Sequence, residues 1–368
     1  MILDMRARLL SKYMLREFLP PFAVGLFIFT LLLVVNQLFL LMDLYLNRGV
    51  DLFIILKMVG LVLPMFFPLS IPMAALLAAL WSYGRLSEDG EITALKSSGC
   101  SLFLYSWPNL ALGLALSLTL VYFNMELAPL ATMEFKTIHY AVAQQNPLAL
   151  FAPKVMNNFG EYKIYVEKMD RRKKKLTGVS IYKLNPDTGP TRILAPAGEV
   201  TSEPGEGLTI RLMNGAIHQP GQRKESQYTI TKFDGFSLRV PTETEEKPRA
   251  VTSYEMTADE LEAKAAQAER EHASPAGWRT EKNRRIAVAF APLAFILLGI
   301  ALGMRVRRGS RSLGIGMSLI VILVYYGLLF SMVTLSSRGI FSPLLLTWAP
   351  NFIAFAAGGE LWRRAAAL

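Results

Sequence analysis

Six stretches of this chain are apolar for long enough to cross a bilayer, and they limit the possible folds more than any other feature. They run from Phe18 to Met42, Phe53 to Tyr83, Leu102 to Phe123, Ile286 to Met304, Leu313 to Leu335 and Phe341 to Trp362. Roughly 20 mostly apolar residues span the hydrocarbon core as a helix. Helix is the form they must take, because lipid offers no partner to an open backbone N–H or C=O. Hydrophobic residues make up 52% of the chain against 18% charged, with mean hydropathy +0.33. That balance excludes a simple soluble enzyme and a disordered chain alike. The first stretch is too long for the apolar region of a signal peptide and has no small-x-small cleavage site after it.

Between the third and fourth stretches, from Asn124 to Asn283, the sequence turns polar. Glu161–Glu167, Gly178–Lys183, Leu208–Leu212 and Gln227–Lys232 alternate with period two, as half-buried strands do. Asn185–Gly189, Pro204–Gly207 and Gln219–Gly221 supply turn residues between them. Short strands with turn signals predict an antiparallel jelly roll or sandwich. Thr257–Glu260 reads as a capping box opening a helix to about His272, which Ser274–Gly277 ends. The expected fold class is therefore an α-helical transmembrane protein of six spans, three on each side of an inserted all-β jelly-roll domain. Its parts are a basic interfacial helix over 1–17, spans one to three over 18–123, the β domain over 124–256, a helical connector over 257–283, and spans four to six over 284–368.

Charge sets the orientation. Arg6, Arg8, Lys12, Arg16, Arg85, Lys96, Arg305, Arg307, Arg308, Arg311, Arg363 and Arg364 flank one side of the spans, against Arg48, Lys57 and Arg338 on the other. Positively charged short loops stay inside, which places both termini in the cytoplasm and the insert outside. The insert holds 22 Lys and Arg against 21 Asp and Glu, a net of +1, so +9 of the net charge of +10 belongs to the membrane-bearing remainder. The high pI is thus a topology signal and not a nucleic-acid footprint. Cys100 alone cannot form an intrachain disulfide, and His139, His218 and His272 lack metal-ligand spacing.

Spans two to six carry almost no ionisable residue in their middle thirds, unlike ion-coupled transporters. No Gly is followed by Lys, so the chain has no standard phosphate loop of its own. Energy for any work must come from a partner. The receiver is the loop from Gly84 to Gly99: Arg85, Glu88, Asp89 and Glu91 precede Lys96 and a terminal glycine, as helix-dipole and C-cap preferences require. Such a helix either plugs into a groove on another protein or is merely a capped connector.

Other features have two readings each. Pro64, Pro68 and Pro72 share one face of span two, as a splayed cavity wall or a static kink. Asn36 and Gln37 near the outer end of span one are interhelical hydrogen bonders or substrate contacts. Arg8, Lys12 and Arg16 form a basic stripe suited to anionic lipid. Lys282, Arg284 and Arg285 at the outer mouth of span four meet lipid phosphates or snorkel.

These residues resemble the lipopolysaccharide export permeases of the LptF/LptG type, over nearly the whole chain. Lys12–Phe18 is similar to the family's entry to span one, and Pro72–Leu77 with Gly84–Gly99 is the most specific match. Glu281–Ala287, Ala291–Leu293 and Arg307–Gly314 resemble the segment around span four. Gly84–Glu91 resembles the F branch more than the G branch, of which Phe67–Leu69 and Pro72–Leu77 carry echoes.

The resemblance implies a bacterial inner-membrane subunit paired with an LptG-like permease and driven by two copies of an LptB-like cytoplasmic ATPase, which bind ATP and Mg; this chain is non-catalytic and needs no cofactor of its own. The substrate would be lipopolysaccharide, drawn from the outer leaflet and passed to an LptC/LptA-like periplasmic bridge. Glu91 stands at the family's acidic coupling position. Asn36 and Gln37 replace a basic residue often found there, which shifts the expected phosphate contacts to Arg48, Lys57, Arg284 and Arg285. Acyl chains are expected against the strand face carrying Ile164 and Val166, or Tyr162, unless that face is a closed core. A membrane-anchored periplasmic scaffold without transport explains the topology too, but gives the acidic loop no role. A lipoprotein-release permease has one span before its large domain, where this chain has three.

Overall fold

A computed structural model describes residues 2–46, 50–145, 154–159, 161–170, 175–183, 191–203, 207–220, 228–240, 252–305, 311–339 and 341–367. Its helices are α1 (Ile2–Leu46), α2 (Leu52–Glu88), α3 (Glu91–Ser97), α4 (Leu102–Tyr122), α5 (Ala128–Gln145), α6 (Ala258–Arg270), α7 (Ala276–Ala289), α8 (Ala291–Gly303), α9 (Arg311–Ser337) and α10 (Pro343–Ala367). A π-helical turn, Phe123–Leu127, joins α4 to α5. Six strands lie between α5 and α6: β1 (Met156–Phe159), β2 (Tyr162–Asp170), β3 (Lys175–Lys183), β4 (Thr191–Glu203), β5 (Gly207–Pro220) and β6 (Tyr228–Val240). The chain forms two compact units, a helical one containing 1–39, 59–135 and 252–368, and a second containing 40–58 and the strand-bearing 136–251.

In the helical unit, α8 is apolar all round and buried almost throughout, the signature of a central helix. Glycines let its neighbours approach: a Cβ on Gly299 would lie 2.6 Å from the Ala79 Cβ of α2, and one on Gly113 of α4 would lie 3.3 Å from the Leu293 Cα. Gly358 of α10 comes equally near to Leu298. Small residues at crossings permit the dispersion contacts that hold helices together in lipid, where the hydrophobic effect does not.

Among the described residues, four helical segments are long and apolar enough to cross a membrane: Leu9–Leu46, Leu52–Glu88, Leu102–His139 and Gly316–Ser337. The expected fourth span is different in form, because α7 and α8 meet at a 41° bend. Pro292, which lacks an N–H, stands just past the break and explains it. The Ala287 carbonyl near the bend accepts from Asn351 Nδ2 at 2.6 Å, and Asn351 Oδ1 accepts from Tyr325. The expected sixth span is the continuous helix α10, which carries Asn351, Glu360, Arg363 and Arg364 and falls short of the others in length of uninterrupted apolar sequence. Two boundaries also move. Helix continues past Phe123 through the π turn to Gln145, so the first described strand starts only at Met156; α7 begins at Ala276, inside the expected connector. The Thr257–Glu260 capping box forms as its spacing predicts.

The described strands of the insert pair antiparallel, with spatial order β1-β2-β3-β4-β5-β6. Each described strand pairs with its chain neighbour, a meander without the crossovers of a Greek-key jelly roll. Four strands are those the alternation predicts; β1 and β4 are additional. The turns expected at Asn185–Gly189, Pro204–Gly207 and Gln219–Gly221 fall mostly outside the described residues.

A crease crosses this sheet. Inward residues on β2 are Ile164 and Val166, then Met169; on β3, Leu176, then Val179 and Ile181; on β4, Ile193 and Ala195, then Val200. On β5 they are Ile210 and Leu212, then Ile217, and on β6 Phe233, then Phe236 and Leu238. The parity changes once on each of β2 to β6. The points of change are in register, since the ladders pair residues on each side of Glu167, Gly178, Pro196 and Asn214 but omit those residues themselves. Pro196 has no N–H to give a ladder, while Gly178 (φ 65°) and Asn214 (φ 52°) take left-handed backbone that reverses the pleat. Residues from both sides of the line enter one apolar cluster made of strand residues alone, so the sheet closes over itself.

Candidate functional site

The loop from Gly84 to Gly99 begins as the end of α2. Gly90 (φ 77°) breaks that helix, and α3 starts at Glu91, so the free-standing helix is shorter than the sequence suggests. At its far end the Cys100 N–H reaches Leu95 O and the Gly99 N–H reaches Lys96 O, with Gly99 at φ 80°. This is a Schellman stop, as the terminal glycine predicts.

Side chains then tie the loop down. Tyr13 Oη donates to Glu91 Oε2 at 2.7 Å, and Arg85 pairs with Glu17 at 2.6 Å, one turn further along α1. Ser82 Oγ donates to the Glu17 carbonyl. Ser87 Oγ donates to the Met304 carbonyl at the end of α8, and Lys96 Nζ to the Ala365 carbonyl in α10 at 2.6 Å. The lysine meets the negative end of that helix. Beneath lie Met14, Phe18, Tyr83, Leu86, Ile92, Tyr105 and Ile300 in one apolar cluster. The short loop is therefore fastened to α1, α8 and α10 at once. Of the acidic residues expected to meet a partner, Asp89 is exposed, while Glu88 and Glu91 are half-buried. Arg85 and Glu88 also line a small cavity of about 80 Å³ with Leu77, Leu80, Trp81, Gly84 and Gly314. Tyr13 and Glu17 match no pattern in the sequence that marks a site, although they follow Lys12 and Arg16 at the same four-residue spacing, on the adjoining face. Lys12 and Arg16 are themselves exposed, as a lipid-facing stripe requires.

Arg284 and Arg285 do not stand open at the mouth of a span. Glu281 is only 5% exposed and Arg285 only 4%. Arg284 grips Glu281 through Nε at 2.8 Å and Nη2 at 2.7 Å, and its guanidinium lies 5.4 Å from the centre of the Tyr254 ring. Arg285 Nε reaches Glu281 at 3.0 Å; its Nη1 and Nη2 donate to the Met256 and Ser253 carbonyls, each at 2.7 Å. Every nitrogen of Arg285 is engaged inside the protein, which corrects the expectation that it faces lipid phosphate. Lys282 pairs with Glu262 of α6 at 2.9 Å and holds that carboxyl below its ordinary range.

Asn36 is exposed and Gln37 half-buried on α1, Lys57 is exposed, and Arg48 lies outside the described residues. In the insert, Ile164 and Val166 are 0% exposed within the strand cluster, and Tyr162 packs at its margin. The face expected to meet acyl chains is thus closed in this structure.

Comparison with known proteins identifies the family. The lipopolysaccharide export system permease LptF/LptG family matches residues 12–364. The chain is similar to the lipopolysaccharide export system permease protein LptF of Escherichia coli (strain K12), 20% identical over 360 residues, covering 96% of this chain and 95% of that one. LptF of Shigella flexneri matches to the same extent. An uncharacterized protein of Rickettsia prowazekii (strain Madrid E), RP871, is 25% identical over 129 residues, or 35% of this chain and 36% of that protein.

Proposed function

Because the chain belongs to the LptF/LptG family of lipopolysaccharide export permeases, we propose that it is the half of an ATP-driven transporter that converts closure of a partner ATPase into lipid movement. It is an inner-membrane protein of a multi-component export system. In our reading both termini and the 84–99 loop face the cytoplasm and the creased sheet faces the periplasm, as the basic loops favour.

The observation that carries the reading is the fastening of the 84–99 loop. A capped connector has no need of ties to three other helices, whereas a receiver of mechanical work does. A push on the 84–99 loop is delivered through Glu91 and Tyr13 to α1, through Ser87 at the end of α2 to α8, and through Lys96 to α10. With α8 at the centre of the bundle and α1 and α10 presenting exposed apolar side chains such as Phe27, Leu32, Leu345 and Phe352, their joint displacement narrows the space between this subunit and a companion permease and expels an amphiphile held there. ATP and Mg belong to the ATPase, and this chain makes no covalent bond. Lipid leaving the bundle would pass to the insert and then to a periplasmic bridge. The closed apolar cluster must open for acyl chains to enter, and the crease is where its ladders are already interrupted.

Substituting Glu91→Lys in the complex with the ATPase and companion permease tests this. The expected result is intact assembly with ATP-dependent release of lipopolysaccharide from proteoliposomes abolished. Normal release would refute the assignment of the loop. Isolation of the chain without an ATPase or a second permease would favour the scaffold reading instead.

A further inference from the structure

One buried ionic cluster remains unused by that account. Glu281, Arg284 and Arg285 lie in the first half of the broken span, and they join segments that are distant in sequence. Arg285 reaches back to both ends of the turn at Ser253–Met256, the first described segment after the strands. That turn is rigid by its own bonds: Thr252 Oγ1 donates to Glu255 Oε1, and Glu255 is buried. From the other side Asn124 Nδ2, within the π turn that follows α4, donates to the Arg285 carbonyl at 2.8 Å. On the solvent side, Lys282–Glu262 and Arg279–Glu269 bind α6 to α7.

A buried carboxylate with two guanidiniums is a poor device for stability, because apolar residues of similar volume usually do as well or better. Its distinctive property is geometry. A guanidinium presents donors in a fixed fork, and here the fork spans a carboxylate and two backbone carbonyls whose spacing the turn sets. Lysine's three N–H bonds leave one nitrogen, and acceptors spaced around Nε, Nη1 and Nη2 do not all lie within reach of it.

We propose that Glu281 and Arg285 are positioning residues for lipid transfer: they lock the turn leaving the insert to the outer half of the broken span. Displacement of α7 then moves the C-terminal connection of the insert with it, and strain reaches the creased sheet through its own chain. The π turn and the bend at Phe290 are the places where the helices on either side of this latch already depart from straight α-helix, so α7 can shift without unwinding a regular helix. The inference rests on the export reading above but assigns a role to residues that reading does not use.

The test uses the assembled complex with the ATPase and companion permease, a photocrosslinker at Tyr162, and lipopolysaccharide as the probe. Arg285→Lys is expected to leave ATP hydrolysis within about twofold while ATP-dependent crosslinking at position 162 falls about tenfold or more, the size of an ordinary coupling free energy. Amide exchange in 252–256 should quicken in the same variant. Unchanged crosslinking despite quickened exchange would overturn the latch, and so would a parallel fall of hydrolysis and crosslinking in an intact complex. Should Arg285→Lys fail to assemble, Glu281→Gln, which keeps shape and removes one charge, is read in the same way. A wild-type complex that hydrolyses ATP and never crosslinks lipopolysaccharide anywhere in the insert would defeat the export route itself, which separates the two failures.

Discussion

Replacing Gly178 by alanine probes the crease at the position where backbone and space both forbid a side chain. The residue sits at φ 65°, and a Cβ built there lies 2.6 Å from Glu167 Oε2 and 2.8 Å from Glu167 Cβ. The carboxylate tip can swing away, but the Cβ is fixed to a strand whose flanking pairs, Val166↔Val179 and Lys168↔Thr177, hold it. Left-handed backbone costs an alanine about 1–2 kcal/mol. Relief of the overlap adds about 1–3 kcal/mol. Since about 1.4 kcal/mol is tenfold in an equilibrium constant, protection of the β2 and β3 amides against hydrogen exchange should fall about 30-fold or more. Mass spectrometry of peptides covering 162–183 in detergent-solubilised protein reads this directly. Gly235→Ala is the matched control on the same line, because its Cβ meets nothing within 4 Å. Relief of glycine's chain entropy in a strand should there leave protection equal or raised by about 0.5–1 kcal/mol. Equal losses in both variants, or none at Gly178, would show that the parity change is not held by left-handed backbone and that the crease argument is wrong.

Tyr13→Phe keeps the ring and removes the bond to Glu91; amide exchange in α3 should quicken about 2- to 10-fold, the worth of one hydrogen bond to a charged group being about 1.5–3 kcal/mol less what water restores at a half-buried site. Asn351→Leu leaves the Tyr325 hydroxyl without its partner and the Ala287 carbonyl at the bend with the Phe290 N–H alone, which should cost about 1–3 kcal/mol and lower the midpoint of thermal unfolding in detergent. Glu281→Ala removes the counter-charge of the buried Arg285, which keeps only its carbonyl partners, and of the half-buried Arg284; it should cost about 3–5 kcal/mol, seen as a larger drop in the same midpoint than Arg284→Ala produces. The Lys282–Glu262 tie should be pH-dependent in one direction. Because the folded-state pKa of Glu262 is depressed below 4.5, the contribution is present above that value and disappears as pH falls through the lower folded value, quickening exchange in α6 on acidification.

The sequence reveals what is periodic or local and conceals what depends on a distant partner. Alternation over Glu161–Glu167 and Gly178–Lys183 is β2 and β3, and Thr257 caps α6 through a residue three positions on, so those elements are legible. Strand β4 is not, because its inward positions change parity between Ala195 and Val200 and Pro196 interrupts them; a search for unbroken alternation passes over the very feature that folds the sheet. The fourth span looks like one helix until Pro292 is given its full weight. Arg284 and Arg285 show the deeper limit. A basic pair at the mouth of a span has the same sequence whether it points toward lipid phosphate or into the protein, and the carbonyls that claim Arg285 lie 29 and 32 residues away. The local clue is Glu281, three and four residues earlier on the same helix face. A cation that already has an acid one turn away has less need of an external anion, so the spacing by itself favours an internal latch over a substrate contact.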